Sequence, residues 1–325
     1  MTEQERYADR TVLVTGASGI VGSWLVRSLL DAGAAVIALV RDEDPHSGFV
    51  RSGDVDRVTQ VHGSLEDLVL LERCLVQYEV EVVFHLGAQT QVRHAQWSPW
   101  ASLEANVRGT YNVLEASRRS LRTLQAVVIA SSDKAYGETD VLPYTEAHPL
   151  SGRNIYDASK SAADLLASAY AHSYGLPLGI ARCANIYGGG DLNWDRIVPG
   201  TIRSLLRAQA PVIRSDGTLQ RDYLHVDDAV SAYLVLGIAL MEGRERAEAF
   251  NFGHGTPVSV LEIVNEISSG VGGGIAPVIQ ADAPNEIQAQ WLDSTKAAER
   301  LGWRPSLSLH DGIAKTLPWY RELLG

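Results

Sequence analysis

Short apolar runs alternate with longer helical patterns along the first half of the chain. The runs that predict strands lie at residues 11–15, 36–40, 58–61, 82–85, 126–130 and 178–181. Between them, apolar positions recur at helical spacing over residues 20–32, 66–77, 103–120 and 156–174. The strand runs are almost continuously apolar, which is typical of strands covered on both faces. The alternation predicts an α/β fold with a doubly wound parallel sheet.

The alternation stops after residue 181, where glycines at 188–190 and prolines at 199 and 211 interrupt it. One more helical pattern, over about residues 226–242, is expected to return to the sheet. We therefore predict an N-terminal domain of residues 1–181 joined by about 223–254. Residues 182–222 and 255–325 are predicted to form a smaller C-terminal lobe.

Charge and composition exclude several classes of protein. The 325 residues carry 28 Lys and Arg against 39 Asp and Glu, a net charge of −11, which argues against general nucleic-acid binding. Two cysteines favour a reduced compartment, and the polar residues 1–10 predict no signal peptide. No apolar run reaches the ~20 residues of a membrane helix, so we predict a cytoplasmic protein without a membrane partner. The nine scattered histidines show no ligand spacing, so no metal site is predicted.

Glycines at a spacing of three follow the first predicted strand and begin a helix. Gly16 permits a tight turn, Gly19 lets backbone amides approach a pyrophosphate, and Gly22 lets the helix pack against the strand. The positive end of the helix then faces the phosphates. The alternative is a glycine-rich turn without a ligand. The predicted cofactor contacts in this loop are Gly16, Ser18, Gly19, Ile20, Val21 and Gly22.

The end of the second predicted strand bears on the choice of dinucleotide. An acidic residue there binds ribose hydroxyls, whereas arginine accepts a 2′-phosphate. Arg41 comes first and Asp42 follows, which favours NADP slightly over NAD, unless both are solvated loop charges. Ser64 and Leu65, after the third strand, are predicted to lie beside the adenine.

Tyr156 and Lys160 form the core of a candidate catalytic set. A spacing of four places both side chains on one helix face. A free tyrosine has a pKa near 10, and we expect the neighbouring ammonium to lower that pKa. Ser132 ends the fifth predicted strand, where parallel strands deliver side chains to the active-site crevice. The alternatives are a surface pair on the helix and a structural serine.

Further segments complete a pattern: HLGAQ at 85–89, NVRGTYNVLE at 106–115, RCANIYG at 182–188, QRDYLHV at 220–226, LDSTK at 292–296 and LGWRP at 301–305. With the glycine loop and the tyrosine–lysine pair, they resemble the extended short-chain dehydrogenase/reductase family, specifically its nucleotide-sugar epimerases and dehydratases. The resemblance covers nearly the whole chain. It implies a Rossmann domain, a bound NAD or NADP and a nucleotide-sugar substrate.

The resemblance also implies site residues. Those on the cofactor would be Leu86, Gly87, Ala88, Gln89, Asn106, Ala130, Tyr156, Lys160 and Cys183. Those on the substrate would be Ser132, Asn185, Arg196, Ile197, Val198 and Arg221. Arginine suits the substrate's two phosphates because its planar fork donates paired hydrogen bonds. The alternative for Arg221 is an intrachain pair with Asp222 or Asp227.

Asp133 and Lys134 separate two possible reactions. Both begin with oxidation at carbon 4 of the sugar, but a 4,6-dehydratase also needs a base at carbon 5 and an acid at carbon 6. An Asp-Lys pair after the serine resembles the CDP-glucose 4,6-dehydratases, and so do residues 22–25, 189–199 and 284–286. By that resemblance Asp133 is the acid and Lys134 the base. A lysine base must be neutral, a state that burial favours and Asp133 opposes.

Two other functions stay open. If Asp133 and Lys134 only form a loop salt bridge, the chain is predicted to be a nucleotide-sugar 4-epimerase. A protein that binds both ligands without turnover is a third possibility. In the family, the helices at 103–120 and 156–174 usually pair with their copies, so a homodimer is predicted, although their apolar positions equally suit burial against the sheet.

Overall fold

The structure is a computed structural model that describes residues 4–282 and 287–325. The resemblance noted at 284–286 and the first three residues of the N-terminal segment lie outside the described residues. Within the described part, no helix is both long and apolar enough to cross a membrane.

A seven-stranded parallel sheet forms the centre of the fold, in the order β11-β6-β5-β4-β1-β2-β3. Its strands are β1 (Thr11–Thr15), β2 (Ala35–Val40), β3 (Thr59–His62), β4 (Val82–His85), β5 (Ala126–Ser132), β6 (Leu178–Cys183) and β11 (Glu248–Phe252). All six predicted strands are present, which confirms the predicted fold class. The edge strand β11 was not predicted: it pairs with β6 in parallel, Phe252 opposite Cys183, after a crossover through the helix that follows residue 225.

Helices cover both faces of this sheet. The helices are α1 (Ile20–Asp31), α2 (Gly48–Arg51), α3 (Leu68–Gln77), α4 (Val92–Trp97), α5 (Pro99–Leu103), α6 (Gly109–Arg119), α7 (Ile155–Tyr174), α8 (Ile197–Leu206), α9 (Val226–Met241), α10 (Val260–Val271), α11 (Thr295–Leu301) and α12 (Leu309–Leu324). One apolar core includes side chains of α1 and α9, and the other includes side chains of α3, α6 and α7. Short 3₁₀ helices occur at Gln4–Arg6, Asp54–Arg57 and Asp133–Tyr136, and a π-helical turn at Glu104–Arg108.

Three small sheets lie beyond the central one. β7 (Asn185–Tyr187) pairs with β10 (Tyr223–His225), and β8 (Val212–Ile213) pairs with β13 (Val278–Ile279). β9 (Gln220–Arg221) lies between β12 (Val258–Ser259) and β14 (Ala289–Gln290). A third apolar core joins α8, α10 and α12, with Ile202, Ile263 and Tyr320 fully buried in it. The division into two domains at residue 181 stays a prediction.

Candidate active site

The glycine loop forms a cradle between β1 and α1. Gly16 has φ of +73°, a left-handed conformation that favours glycine. A Cβ on Gly16 would lie 2.7 Å from the backbone nitrogen of Gly87, and one on Gly22 only 2.0 Å from the carbonyl oxygen of Gly16. Gly19 begins α1 without a side-chain cap, and the first turn of α1 contains no acidic residue. The cradle therefore fits a pyrophosphate, which the helix amides attract.

A hydrogen-bonded network holds the ends of β1 and β4 together beneath this loop. The hydroxyl of Thr15 accepts the amide hydrogen of Gly87 at 3.1 Å and lies 2.8 Å from Nδ1 of His85. Nε2 of His85 lies 3.1 Å from the hydroxyl of Thr110, which itself donates to the carbonyl one turn before it. Thr110 therefore accepts from Nε2, and Thr15 donates to Nδ1. Burial, with a smaller contribution from Lys160, lowers the pKa of His85 to about 3, so the imidazole is neutral.

Asn106 links the loop after β4 to the helix that bears the candidate base. Its Oδ1 accepts the amide of Gln89 at 2.7 Å, and its Nδ2 donates to the carbonyl of Gln89 at 3.0 Å and to Oγ of Ser159 at 2.9 Å. Ser159 in turn donates to the carbonyl of Tyr156 at 2.7 Å. Asn106 lies in the π-helical turn, a distortion that is frequent at functional sites.

Ser132, Asp133 and Lys134 lie at the end of β5 and in the 3₁₀ turn that follows. Oγ of Ser132 accepts the amide of Lys134 at 3.2 Å and donates to Oδ1 of Asp133 at 2.9 Å. Asp133 is buried, and in residues 4–282 and 287–325 its Oδ2 has no hydrogen-bond partner. Nζ of Lys134 donates to Oε1 of Gln290 on β14. These side-chain bonds place both residues beside the serine and connect the lysine to the small sheet.

Tyr156 and Lys160 occupy the first two turns of α7 and are both buried. Nζ of Lys160 donates to the carbonyl of Ala130 at 3.1 Å, and burial lowers the pKa of Lys160 to about 8 while Asp164 opposes the fall. The expected lowering of the Tyr156 pKa is wrong for this structure: burial raises that pKa to about 12. The guanidinium of Arg196 is the largest influence that opposes the rise.

Three buried carboxylates surround the catalytic candidates, and only Asp133 among them was predicted. Asp157 follows the tyrosine, and Asp222 follows Arg221. Burial raises the pKa of Asp157 and of Asp222 to about 6, and in each case Asp133 adds to the rise. Lys134 opposes it at Asp157. Asp222 also accepts three backbone amides, those of residues 254, 255 and 292, at 2.9, 3.1 and 3.3 Å.

A buried ion pair supports this arrangement from behind β5. Arg182 donates to both oxygens of Asp164 at 2.8 Å, and Ser131 donates to the same carboxylate at 2.6 Å. Arg182 also donates to the phenol oxygen of Tyr136 at 2.9 Å. Because Asp164 lies one turn after Lys160 on α7, the pair fixes the helix relative to the sheet.

Of the predicted substrate residues other than Ser132, Asn185 lies on β7, Arg196 to Val198 lie at the start of α8, and Arg221 lies on β9. Nδ2 of Asn185 donates to the carbonyl of Asp222 at 3.3 Å. Arg196 begins α8 and donates to Asp191 at 3.2 Å, with its side chain 38% exposed. Ile197 is half-buried and Val198 is fully covered in the third core.

Arg221 pairs in register with Gln290 across β9 and β14. Its Nη1 donates to the carbonyl of Gln220 at 2.8 Å. The two acids considered as its partners are themselves engaged: Asp222 accepts backbone amides, and Asp227 pairs with Lys315.

The remaining predicted cofactor residues differ in exposure. Nε of Arg41 donates to Oδ2 of Asp42 at 2.5 Å, and both side chains are largely exposed. Ser64 donates to Glu66, and the carbonyl of Leu65 accepts Nδ2 of Asn112 at 2.9 Å.

Cys183 is buried, and burial raises the pKa of its thiol to about 12. A protonated thiol packed against Tyr233 at 3.7 Å has no nucleophilic role. Ser18, Ile20, Val21, Leu86 and Ala88 are all half-buried around the loop.

Several residues at the site were not predicted as site residues: Thr15, His85, Thr110, Asp157, Asp222 and Gln290. Thr15 and His85 end parallel strands, so their positions carried a usable signal. Gln290 lies more than 150 residues from its partner at 134, and no local pattern indicates that contact.

A glycine cradle after the first strand, with a serine at the end of β5 and a tyrosine and a lysine in the first turns of α7, is the arrangement of a dinucleotide-binding enzyme. The chain belongs to the family described as GDP-mannose 4,6 dehydratase, which matches residues 13–316. The resemblance to extended short-chain dehydrogenases/reductases is thereby confirmed.

Relatives of established name cover almost the full chain. It is 33% identical over 321 residues to a dTDP-glucose 4,6-dehydratase of Streptomyces antibioticus, which covers 96% of this chain and 92% of the relative. It is 30% identical to a CDP-glucose 4,6-dehydratase of Salmonella typhimurium (99% and 93% covered). It is 32% identical to a UDP-glucose 4-epimerase of Mycolicibacterium smegmatis (95% and 98% covered).

Solved structures of two similar proteins have the same fold as this chain. The dTDP-glucose 4,6-dehydratase DesIV of Streptomyces venezuelae, solved with NAD bound, has a TM-score of 0.85 and 30% identity, covering 96% of this chain and 97% of its own. The UDP-glucose 4-epimerase of Thermotoga maritima has a TM-score of 0.88 and 29% identity (97% and 100% covered).

Proposed function

We propose that this protein is a nucleotide-sugar 4,6-dehydratase similar to those that act on CDP-glucose. The relatives of the family support a nucleotide-sugar enzyme of this kind. The observation that carries the choice of reaction is the pair Asp133 and Lys134, placed directly beside Ser132 at the end of β5. A dehydratase needs an acid and a base at this position, whereas oxidation at carbon 4 alone does not.

The cofactor is proposed to bind across the glycine cradle and the loop after β4. Residues 16–22, 64–65 and 86–89 would hold it, with Lys160 at the nicotinamide ribose. When bound there, the dinucleotide would supply an acceptor for the hydride of carbon 4 and a donor of hydride for carbon 6. All proton transfers of the reaction are assigned to side chains of the protein.

Tyr156 is proposed to remove the proton from the hydroxyl on carbon 4, with Ser132 hydrogen-bonded beside it. The phenol must give up its own proton first, which burial opposes by raising its pKa to about 12. The positive charge of Arg196 opposes that rise in the Tyr156 pKa. The same arginine is a proposed ligand of the substrate phosphates. The tyrosine therefore depends on nearby positive charge to act as a base.

Elimination of water is assigned to Asp133 and Lys134. Lys134, as the neutral amine, takes the proton from carbon 5, and the electron pair moves into the bond between carbons 5 and 6. Asp133 donates a proton to the hydroxyl on carbon 6, which leaves as water. When carbon 6 is reduced, the ammonium of Lys134 returns its proton to carbon 5, which completes the 4-keto-6-deoxy sugar.

A 4-epimerase is the second candidate, supported by the epimerases of Mycolicibacterium smegmatis and Thermotoga maritima among the relatives. The two reactions are separated by incubating the protein with a panel of nucleotide sugars that differ in base and sugar. Loss of one water in the mass spectrum identifies a dehydratase. Unchanged mass with a new isomer would replace the proposal with an epimerase.

Lys134→Ala tests the assignment of the base. We expect water loss to stop while oxidation at carbon 4 persists, so that reduced nicotinamide accumulates on mixing with substrate. Lys315→Ala, which removes an exposed lysine paired with Asp227, is the control and should leave both rates unchanged. Normal dehydration by Lys134→Ala would make that lysine structural.

The cofactor is proposed to be NAD. DesIV was solved with NAD, and the salt bridge to Asp42 already engages the Arg41 guanidinium that would otherwise favour a 2′-phosphate. Titration of the stripped protein with each dinucleotide measures the preference. Tighter binding of NADP would restore the prediction made from Arg41.

A homodimer is also proposed, formed by α5, α6 and α7 with their copies. Exposed apolar side chains on these helices support it, namely Trp100, Leu103, Tyr111 and Leu165. The mass in solution, measured by light scattering, tests this proposal. The division at residue 181 into a cofactor domain and a substrate lobe, and the cytoplasmic location, are proposed on the same family basis.

A further inference from the structure

Gln290 ends β14 and lies fully buried between the two parts of the site. Its strand is parallel to β9, where it pairs with Arg221, and its carbonyl accepts the amide of Asp222 at 3.0 Å. The strand that bears Arg221, a proposed phosphate ligand, is therefore hydrogen-bonded to the strand that bears this glutamine.

The side chain of Gln290 has one orientation available to it. Nζ of Lys134 can only donate, so the amide oxygen faces the lysine. The amide nitrogen then lies near the phenol of Tyr144 and opposes the rise in the Tyr144 pKa that burial causes, although within the described residues it makes no hydrogen bond of ordinary geometry. The contact joins the proposed base at carbon 5 to an element of the substrate lobe.

The groups around Lys134 explain why an uncharged hydrogen-bond partner helps this lysine to act as a base. Carboxylates near an amine favour its charged form, which cannot take a proton. An amide holds the nitrogen through a hydrogen bond without adding negative charge, and so orients the amine while leaving its lone pair for the substrate. Among the residues that the structure describes, the charged and titratable groups around this contact include Asp133 on the 3₁₀ turn, Asp157 on α7, Asp222 and Arg221 beside β14, and Tyr144 beside the amide.

We infer that Gln290 is a positioning residue that aligns Lys134 for proton removal at carbon 5 and couples this alignment to the strand that bears Arg221. The inference rests on the proposed dehydratase function. Gln290 acts through the lysine rather than on the sugar itself.

Two variants of Gln290 separate the effect of charge at this position from the effect of side-chain length. Gln290→Glu keeps the shape but adds a carboxylate, which stabilises the lysine's charged form. We expect at least a tenfold lower rate of water loss at neutral pH, an unchanged KM and a pH profile displaced upward by about one unit. Gln290→Asn keeps the amide but shortens it, and should lower kcat without displacing the profile. Gln288→Glu, the same change at an exposed position of the same segment, should match wild type.

A second measurement does not depend on turnover. Competitive acylation followed by peptide mapping reports the pH at which each lysine becomes reactive, and the chain contains only four lysines, at 134, 160, 296 and 315. In Gln290→Glu, the reactivity of Lys134 should move to higher pH while that of Lys315 does not. If the wild-type protein never releases water, the proposed function fails, but this measurement still shows whether Gln290 influences Lys134. An unmoved Lys134 titration in Gln290→Glu would overturn the inference.

Discussion

The buried pair between Arg182 and Asp164 allows a quantitative prediction. The two side chains are only 8% and 1% exposed, joined by two bonds of 2.8 Å. Arg182→Met removes the positive partner and leaves a buried carboxylate with Ser131 as its remaining direct donor among the bonds described above. Breaking a buried pair from one side typically costs about 3–5 kcal/mol, a large part of the 5–15 kcal/mol that stabilises an ordinary protein.

The assay is urea unfolding followed by circular dichroism, with activity measured in parallel. With a slope of roughly 3 kcal/mol per molar, the midpoint of Arg182→Met should fall by about 1 M or more. Combining it with Asp164→Leu removes both charges. Relative to Arg182→Met, which already removes the donor to Tyr136, the new loss is the acceptor of the Ser131 hydroxyl, about 1–3 kcal/mol. The double variant should therefore be more stable than Arg182→Met alone.

The control is Arg51→Met, which removes one partner of the peripheral pair with Glu322. Such pairs contribute about 0–1 kcal/mol, so its midpoint should stay close to wild type. A single Arg182→Met variant as stable as this control, or a double variant less stable than the single one, would refute the account of Asp164 as a carboxylate stabilised by its arginine.

Three other predictions follow from the site. Tyr156→Phe should abolish turnover while cofactor stays bound, as read from product formation and from the absorbance of the purified protein; unchanged product would remove the tyrosine as the base. Gly22→Ala should prevent dinucleotide binding, measured by calorimetry, because the added Cβ would lie 2.0 Å from the carbonyl oxygen of Gly16. Burial lowers the pKa of Lys160 from an ordinary 10.5 to about 8, so the folded state holds a disfavoured charge below pH 8, and this penalty disappears as the pH rises from 8 to 10.5. Lys160→Met should therefore unfold at a higher urea concentration than wild type at neutral pH, with the gain shrinking toward about pH 10; a gain independent of pH would contradict the reasoning.

The alternation of apolar runs and helical patterns was sufficient to predict the parallel sheet. Strands buried on both faces must be almost wholly apolar, so the six predicted strands stand out in the sequence. The edge strand β11 was missed because it includes Glu248 and Asn251, and because its pairing with β6 is a long-range event. Its place in the sheet depends on α9, which precedes it in the chain and forms the crossover.

The sequence by itself also determined the catalytic candidates that are local in the chain. Tyr156 and Lys160 share a helix face at a spacing of four, and Ser132 through Lys134 are consecutive at a strand end. The geometry of a single helix or strand end is sufficient to bring such side chains close together. The glycine loop could also be predicted from local sequence, because its strand, turn and helix follow one another directly in the chain.

Only the tertiary structure decided the electrostatics and the long-range partners. The pKa of Tyr156 rises because folding buries the phenol, an effect that outweighs the nearby positive charges and that spacing alone does not reveal. Gln290 reaches Lys134, and Asp222 approaches Asp133, because the segments that contain β9 and β14 pack against the end of β5. Desolvation and contacts between distant segments depend on how the whole chain packs, so no local pattern encodes them.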